Sequence, residues 1–168
     1  SFRPMPRTVM LALEPGPSMA AQLRSNVQSS NRSNVRIEEV ACSDKAGEAF
    51  LYVHSGVNSG KTSLAGGNAG HGESVKVQCL SLDSLCAKHD MRQMRLMKID
   101  VEGAELLVLR GAAEVIRRCK PLIVLELEPH LLKEFGVTPQ DVEHFMSELH
   151  YHISPMEGHA NFLCRPIS

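Results

Sequence analysis

The stretch KIDVEGAE, residues 98–105, constrains the fold of this chain more than any other. It ends a short apolar run, and two acids, Asp100 and Glu102, stand where a strand pattern gives way to the helical pattern of LLVLRG. In an open α/β sheet, ligands bind at the carboxyl ends of the strands. We therefore expect the functional site at this junction.

Strand and helix patterns alternate along most of the chain. The predicted strands are residues 8–13, 35–40, 49–54, 75–79, 95–99 and 122–127, and an antiparallel hairpin is predicted at residues 151–154 and 162–165. Such alternation favours an α/β fold with a mostly parallel sheet and helices on both faces, with the C-terminal hairpin as the one departure. A chain of 168 residues fits a single domain.

Polar and special residues indicate where several helices begin or break. Pro17 suits the first turn of a helix, Asp83 is placed to cap a short helix, and Thr138 precedes Pro139 as a further cap. Gly111 interrupts the helical pattern that follows KIDVEG. We therefore predict two short helical pieces there in place of one long helix.

Composition disfavours several classes of function. With 18 basic and 19 acidic residues, the net charge of −1 offers no footprint for nucleic acid or an anionic membrane. No apolar run reaches the roughly 20 residues that span a bilayer, and no signal-peptide cleavage site is evident, which favours a soluble cytoplasmic protein. The five cysteines include no CxxC pair, and no metal site is predicted.

Glu14 ends the first apolar run, TVMLAL, and is followed by the turn Pro15-Gly16-Pro17. Nucleotide-binding folds place an acid at the end of a buried strand to accept hydrogen bonds from ribose hydroxyls. The alternative is that Glu14 compensates the dipole of the next helix. The ribose interpretation is favoured, because the turn fixes where the carboxylate points.

Asp100 and Glu102 also have two interpretations. Asp100 could cap the following helix, with Glu102 and Glu105 favouring its positive end. Either acid could instead orient a substrate hydroxyl, accept its proton or bind a hard metal ion. The spacing alone leaves both interpretations open.

The Gly-rich stretch 55–72 contains GVNSGKT, which resembles a phosphate-binding loop. The Walker pattern needs four residues between its glycines and a helix after the Lys-Thr pair. Here three residues separate Gly56 from Gly60, and the following SLAGGNAG cannot begin a helix. Nucleoside triphosphate binding is therefore disfavoured.

Six blocks of sequence, in this order, resemble the FkbM family of S-adenosylmethionine-dependent methyltransferases. They are LALEPGP, the AxSDxxG segment at 41–47, Thr62-Ser63-Leu64, Leu82-Asp83-Ser84-Leu85, KIDVEGAELLVLRGA and KPLIVLELEPH. The resemblance implies a Rossmann-like class I methyltransferase fold, S-adenosyl-L-methionine as cofactor and methylation of a hydroxyl on a sugar or another small metabolite.

The resemblance also assigns residues to the two halves of a methyl-transfer site. It implies cofactor binding by Glu14 and Pro15 at the ribose, by Ala41, Cys42, Ser43 and Asp44 beside the adenine, and by Asp100. Asp100 and Glu102 would serve as catalytic residues that face cofactor and acceptor. Methyl transfer is an in-line displacement, so such residues chiefly align the acceptor and remove its proton.

One departure from the family pattern matters for function. Family members carry a first strand and a Gly-rich loop about twenty residues before the acid that corresponds to Glu14. Here only residues 1–13 precede Glu14, and SFRPMPR contains no glycine. We therefore expect an incomplete methyltransferase domain over residues 1–168, the later portion of a longer protein.

Loss of a central strand exposes strand edges, which a homo-oligomer could cover. Two other functions stay open: a non-catalytic binding or assembly module with methyltransferase ancestry and, as the weakest, a P-loop phosphotransferase.

Overall fold

The computed structural model describes residues 8–53, 62–63, 74–157 and 160–167. Its strands are β1 (Met10–Leu13), β2 (Val35–Glu38), β3 (Ala41–Cys42), β4 (Gly47–Val53), β5 (Thr62–Ser63), β6 (Ser74–Leu80), β7 (Leu96–Ile99), β8 (Leu122–Glu126), β9 (Tyr151–Pro155) and β10 (Asn161–Pro166). Its helices are α1 (Pro17–Ser29), α2 (Leu82–Lys88), α3 (Glu105–Arg110), α4 (Ala113–Cys119), α5 (Pro129–Glu134) and α6 (Pro139–Glu148).

The described strands form three sheets. β1 and β2 pair in parallel, with Met10 opposite Val35. A second sheet has the order β7-β8-β10-β9, and a third has the order β3-β6-β4-β5. The α/β class is therefore confirmed.

The prediction of a mostly parallel sheet is wrong for the described strands. Three pairs are parallel (β1/β2, β3/β6, β7/β8), whereas β4/β5, β4/β6, β8/β10 and β9/β10 are antiparallel. Beyond the predicted hairpin of β9 and β10, β10 inserts beside β8 and runs against it. In the third sheet, β4 runs against both β6 and β5. The predicted C-terminal hairpin is confirmed.

Local sequence signals explain most helix boundaries. Pro17 stands in the first turn of α1, and Thr138 forms a capping box with Asp141 at the start of α6, both as predicted. The helix after KIDVEG breaks at Gly111 into α3 and α4. A Cβ atom at Gly111 would lie 2.0 Å from the carbonyl oxygen of Ser43, so this corner needs glycine for steric reasons.

The predicted cap role of Asp83 is wrong. The side chain of Ser81 caps α2 by accepting a hydrogen bond from the amide of Ser84. Asp83 caps α4 instead, because its two carboxylate oxygens accept the amides of Glu114 and Val115. A sequence pattern cannot reveal a cap whose partners are 31 and 32 residues away.

The main core lies where β7 and β8 meet α3, α4, α5 and α6. Its fully buried side chains include Leu109, Ile116, Ile123 and Leu125. Burying each such side chain stabilises the fold by roughly 1.5–3 kcal/mol relative to leaving it exposed. Leu11 and Leu13 of β1 pack against the same core, so β1 belongs to the same body as β7.

Two strands of this body have open edges. In the described ranges, β1 pairs only with β2, and β7 pairs only with β8. Large apolar side chains stand exposed on these strands: Met10 is 59% and Leu96 63% exposed, and Leu122 beside Leu96 is 43% exposed. Open apolar strands are templates for pairing with another strand.

We therefore expect this chain to self-associate as its concentration rises, and Leu96→Lys to shift it towards monomer, because edge lysines oppose strand pairing. Light scattering coupled to size exclusion measures the mass across a concentration series. Phe50→Lys is the matched control, since Phe50 is 53% exposed on β4 in a different sheet. A monomer at every concentration, or an equal effect of the two variants, would contradict the expectation.

Candidate functional site

The carboxyl ends of β7 and β8 meet α5 around a narrow acid-lined crevice, which we call the acidic cavity. The parallel pairing of β7 with β8 brings both strand ends to one edge of the sheet. The residues that line the cavity are Asp100, Glu102, Glu105, Glu126, Glu128 and Leu131. The predicted pair Asp100 and Glu102 is thus brought together at a strand end.

The turn after β7 is shaped by two residues with positive φ. Glu102 has φ 52° and Gly103 has φ 103°. A Cβ atom at Gly103 would lie 2.5 Å from the carbonyl oxygen of Leu131, so the turn packs directly on the backbone of α5. Only glycine allows this approach, and the approach fixes where the neighbouring acids stand.

The side chain of Glu105 is hydrogen-bonded to the backbone of the same turn. Its Oε1 accepts hydrogen bonds from the amides of Gly103 at 3.1 Å and Val101 at 3.4 Å. The residue is only 2% exposed, and its Oε2 has no hydrogen-bond partner. Burial raises the pKa of Glu105, partly offset by these amide hydrogen bonds.

Asp100 does not cap α3, so that interpretation is wrong. The N-cap position of α3 is Ala104, and no side chain caps it. Asp100 instead forms an ion pair with Lys98, whose Nζ lies 2.9 Å from one Asp100 oxygen and 3.6 Å from Glu126 Oε2. Lys98 therefore bridges the ends of β7 and β8.

Glu126 is the residue at this edge that the sequence reasoning missed. Burial, together with a hydrogen-bonded contact to Asp100, raises the pKa of Glu126, while Lys98 acts in the opposite direction. Glu128 follows it, with Oε2 3.6 Å from His130 Nδ1. The signal was present in the sequence, because LELEP places both acids at the end of the strand after KIDVEG, where the same edge rule applies.

The remaining predicted site residues lie outside the acidic cavity. Glu14 follows β1 and is half-buried, and its Oε1 accepts a hydrogen bond from the amide of Gly16 at 2.8 Å. This contact fixes the turn at Pro15 and the start of α1, as the dipole interpretation requires. It leaves the ribose interpretation untested.

The 41–44 segment is mostly interior. Ala41 and Cys42 are buried in two different apolar clusters, and Ser43 donates a hydrogen bond to Asp44. Burial raises the pKa of Cys42 to about 12, so its thiol stays protonated. Asp44 alone among the four is exposed, whereas Ala41, Cys42 and Ser43 are buried.

The structure gives no support to three other kinds of site within the residues it describes. The phosphate-loop-like residues 56–61 lie outside the described residues. Within the described ranges, no three His, Cys, Asp or Glu side chains are arranged to hold a metal ion. None of the helices found in those ranges is both long enough and apolar enough to cross a membrane.

Comparison with known proteins defines first the class of protein and then the family. The fold matches the crystal structure of the methyltransferase FkbM from Methylobacillus flagellatus KT with a TM-score of 0.63 and 12% identity, over 94% of this chain and 36% of that chain. This chain therefore shares the α/β fold of part of that protein. The model of the methyltransferase FkbM domain matches residues 4–153, and the chain belongs to this family.

A curated relative is the 2-O-methyltransferase NoeI of Sinorhizobium fredii (strain NBRC 101917 / NGR234). It is 25% identical over an alignment of 128 residues, which covers 68% of this chain and 52% of the relative. The chain thus spans about half the length of this relative.

The pKa of Glu105 yields a prediction on stability. A carboxyl whose pKa is raised by folding contributes stability that is full at low pH, below its unfolded value, and is lost as pH rises through its folded value. Glu105→Gln removes this loss and keeps an oxygen for the Gly103 amide. We expect the free energy of unfolding of the variant, relative to the original chain, to increase as pH rises above the unfolded pKa of a glutamate and to level off above the folded pKa of Glu105.

Urea unfolding at a series of pH values measures this difference. Glu143→Gln serves as the control, because Glu143 is exposed on α6 and away from the cavity. A difference for Glu105→Gln that is flat with pH, or that declines as pH rises, would contradict the burial argument.

Proposed function

We propose that this chain carries the acceptor side, and part of the cofactor side, of an S-adenosylmethionine-dependent methyltransferase that acts on a hydroxyl oxygen of a small molecule. The observation that carries the proposal is the acidic cavity at the carboxyl ends of β7 and β8, within a chain of the FkbM family. The name of NoeI supports transfer to oxygen.

The carboxylates of this chain suit part of the cofactor S-adenosylmethionine. When bound, S-adenosylmethionine would supply an electrophilic methyl group to the acceptor oxygen, and its sulfur would keep the electron pair of the broken methyl–sulfur bond. Carboxylates at the ends of β1 and β7 suit ribose hydroxyls and a positive sulfonium. Glu14 would hold the ribose with its turn braced by the Gly16 amide.

The chain's own task in the reaction is to place the acceptor and take its proton. Glu126 suits the second role, because its raised pKa makes it a stronger base than an ordinary carboxylate. Asp100 accepts a hydrogen bond from Lys98 and orients the acceptor hydroxyl between the two acids. Glu102, held at positive φ, lines the same cavity.

We also propose that the open edges of β1 and β7 are covered in the active protein by a strand from outside residues 8–167. Both strands pack on one core and each has a paired partner on one side only within the described ranges. The greater length of the relatives supports this proposal. Alternatively, a second copy of the chain covers these strand edges.

A non-catalytic assembly module is the second candidate. The same open apolar edges favour it, since they offer a surface for another protein. It differs from the first candidate in one respect that can be measured: it predicts a cooperatively folding chain that does not bind cofactor.

Binding of S-adenosylhomocysteine by the chain extended to the length of its relatives, followed by isothermal titration calorimetry, separates the two candidates. We expect binding, and a loss of about tenfold or more in affinity for Glu14→Gln, because hydrogen bonds to a charged group contribute about 1.5–3 kcal/mol. Gln keeps an oxygen for the Gly16 amide, so the turn is retained.

Glu39→Gln is the matched control, an exposed acid just beyond β2 that pairs with Arg24. No binding by a chain that unfolds cooperatively would favour the assembly module. Undiminished binding by Glu14→Gln would remove Glu14 from the cofactor site.

A further inference from the structure

Lys98 links the two acids to which the proposed reaction gives the orienting and proton-accepting roles. Its Nζ lies 2.9 Å from Oδ2 of Asp100 and 3.6 Å from Oε2 of Glu126. The sheet sets up this contact: Lys98 pairs with Val124 in the parallel register of β7 and β8, and Glu126 lies two residues beyond Val124, on the same face. One cation therefore contacts both carboxyls, and it lies closer to Asp100.

The three side chains are open to solvent outside the acidic cavity. The cavity itself has no room for a water molecule. The side chains of Lys98, Asp100 and Glu126 are 46%, 47% and 35% exposed. An acceptor therefore reaches the two carboxyls at the edge of the sheet, without entering the cavity.

Asp100 and Glu126 also contact each other. Two carboxyls in contact hold one proton more readily than either does alone, because like charges oppose the second ionisation. Burial and the contact with Asp100 raise the pKa of Glu126, and Lys98 acts in the opposite direction. Which of the two carboxyls takes a proton then depends on the cation beside them.

Other ionisable groups lie around the pair within the described residues. They are Glu102 after β7, Glu105 of α3, Glu128 after β8 and His130, which lies beside Glu128 in α5. Any negative charge on these acids favours the protonated form of the pair as a whole. Lys98 is the cation that the structure describes in an ion pair with both members, and its unequal distances distinguish one member from the other.

We propose that Lys98 is a positioning residue that assigns the two carboxyls their roles: it holds Asp100 as the anion that orients the acceptor and leaves Glu126 to take the acceptor's proton. This inference rests on the proposed methyl transfer. In that reaction the O–H bond of the acceptor breaks, its proton passes to a carboxylate oxygen of Glu126, and the acceptor oxygen gains the methyl group. The shorter contact favours the charged form of Asp100 over that of Glu126, because attraction between charges falls with distance.

Carbon-13 NMR of the two carboxyl groups across a pH series tests the proposal on the 168-residue chain. In the original chain, we expect the first proton taken up by the pair to appear mainly at Glu126. Lys98→Met keeps a side chain of similar length and removes the charge. The pair should then take up its first proton at higher pH, and this proton should be divided between Asp100 and Glu126.

Two further variants separate charge from packing. Lys98→Arg keeps the positive charge and should keep the original titration of the pair. Lys76→Met is the matched control, because Lys76 on β6 forms an exposed ion pair with Glu48 on β4, in a different sheet. It should leave the titration unchanged. A circular-dichroism melt of each variant shows that it is folded.

An unchanged titration in Lys98→Met would overturn the inference, and Lys98 would then only tie the ends of β7 and β8, a role in which exposed ion pairs contribute little to stability. A first proton divided equally in the original chain, or an equal effect of Lys98→Arg, would overturn it as well.

Binding of S-adenosylhomocysteine by the extended chain keeps this test apart from the proposed function. The expected titration without such binding removes the methyl-transfer function and keeps the effect of Lys98 on the carboxyl pair. Binding of S-adenosylhomocysteine with an unchanged titration in Lys98→Met removes the role of Lys98 alone.

Discussion

The site depends on one buried carboxylate. Glu105 accepts the amides of Gly103 and Val101 from beneath the turn that ends β7, and this turn passes through two successive residues of positive φ. On its other side, Gly103 touches the backbone of Leu131 in α5 so closely that no side chain fits. The turn is thus held between a carboxylate and a helix, and the acids around it have fixed positions.

The pairing of β7 with β8 extends this arrangement to a second strand end. It brings Glu126 beside Asp100, and Lys98 bridges the two carboxyls. Two carboxyls in contact raise the pKa of one of them, which is useful for taking a proton from an acceptor. Packing of the turn and the chemistry of the cavity therefore follow from the same few contacts.

The sequence predicted those features that depend on near neighbours. The strand that ends at Ile99, the helix break at Gly111 and the cap at Thr138 each follow from residues within a few positions, and the structure confirms them. The family resemblance rested on such local blocks, and the match of the family model over residues 4–153 confirms it.

Features that depend on distant partners were missed or wrong. Asp83 caps a helix more than thirty residues later, and β10 inserts beside β8 to make the sheet mixed. Glu105 does stand in the first turn of α3, as its dipole interpretation requires, but its burial and its hydrogen bonds to the turn were not predicted.

The central claim is that the acids after β1 and the acids after β7 and β8 serve one methyl-transfer site. A crystal structure of the chain with S-adenosylhomocysteine tests it most directly. We expect the ribose hydroxyls within hydrogen-bonding distance of Glu14 and the sulfur directed towards Asp100 and Glu126. A ligand bound away from either strand end would contradict it.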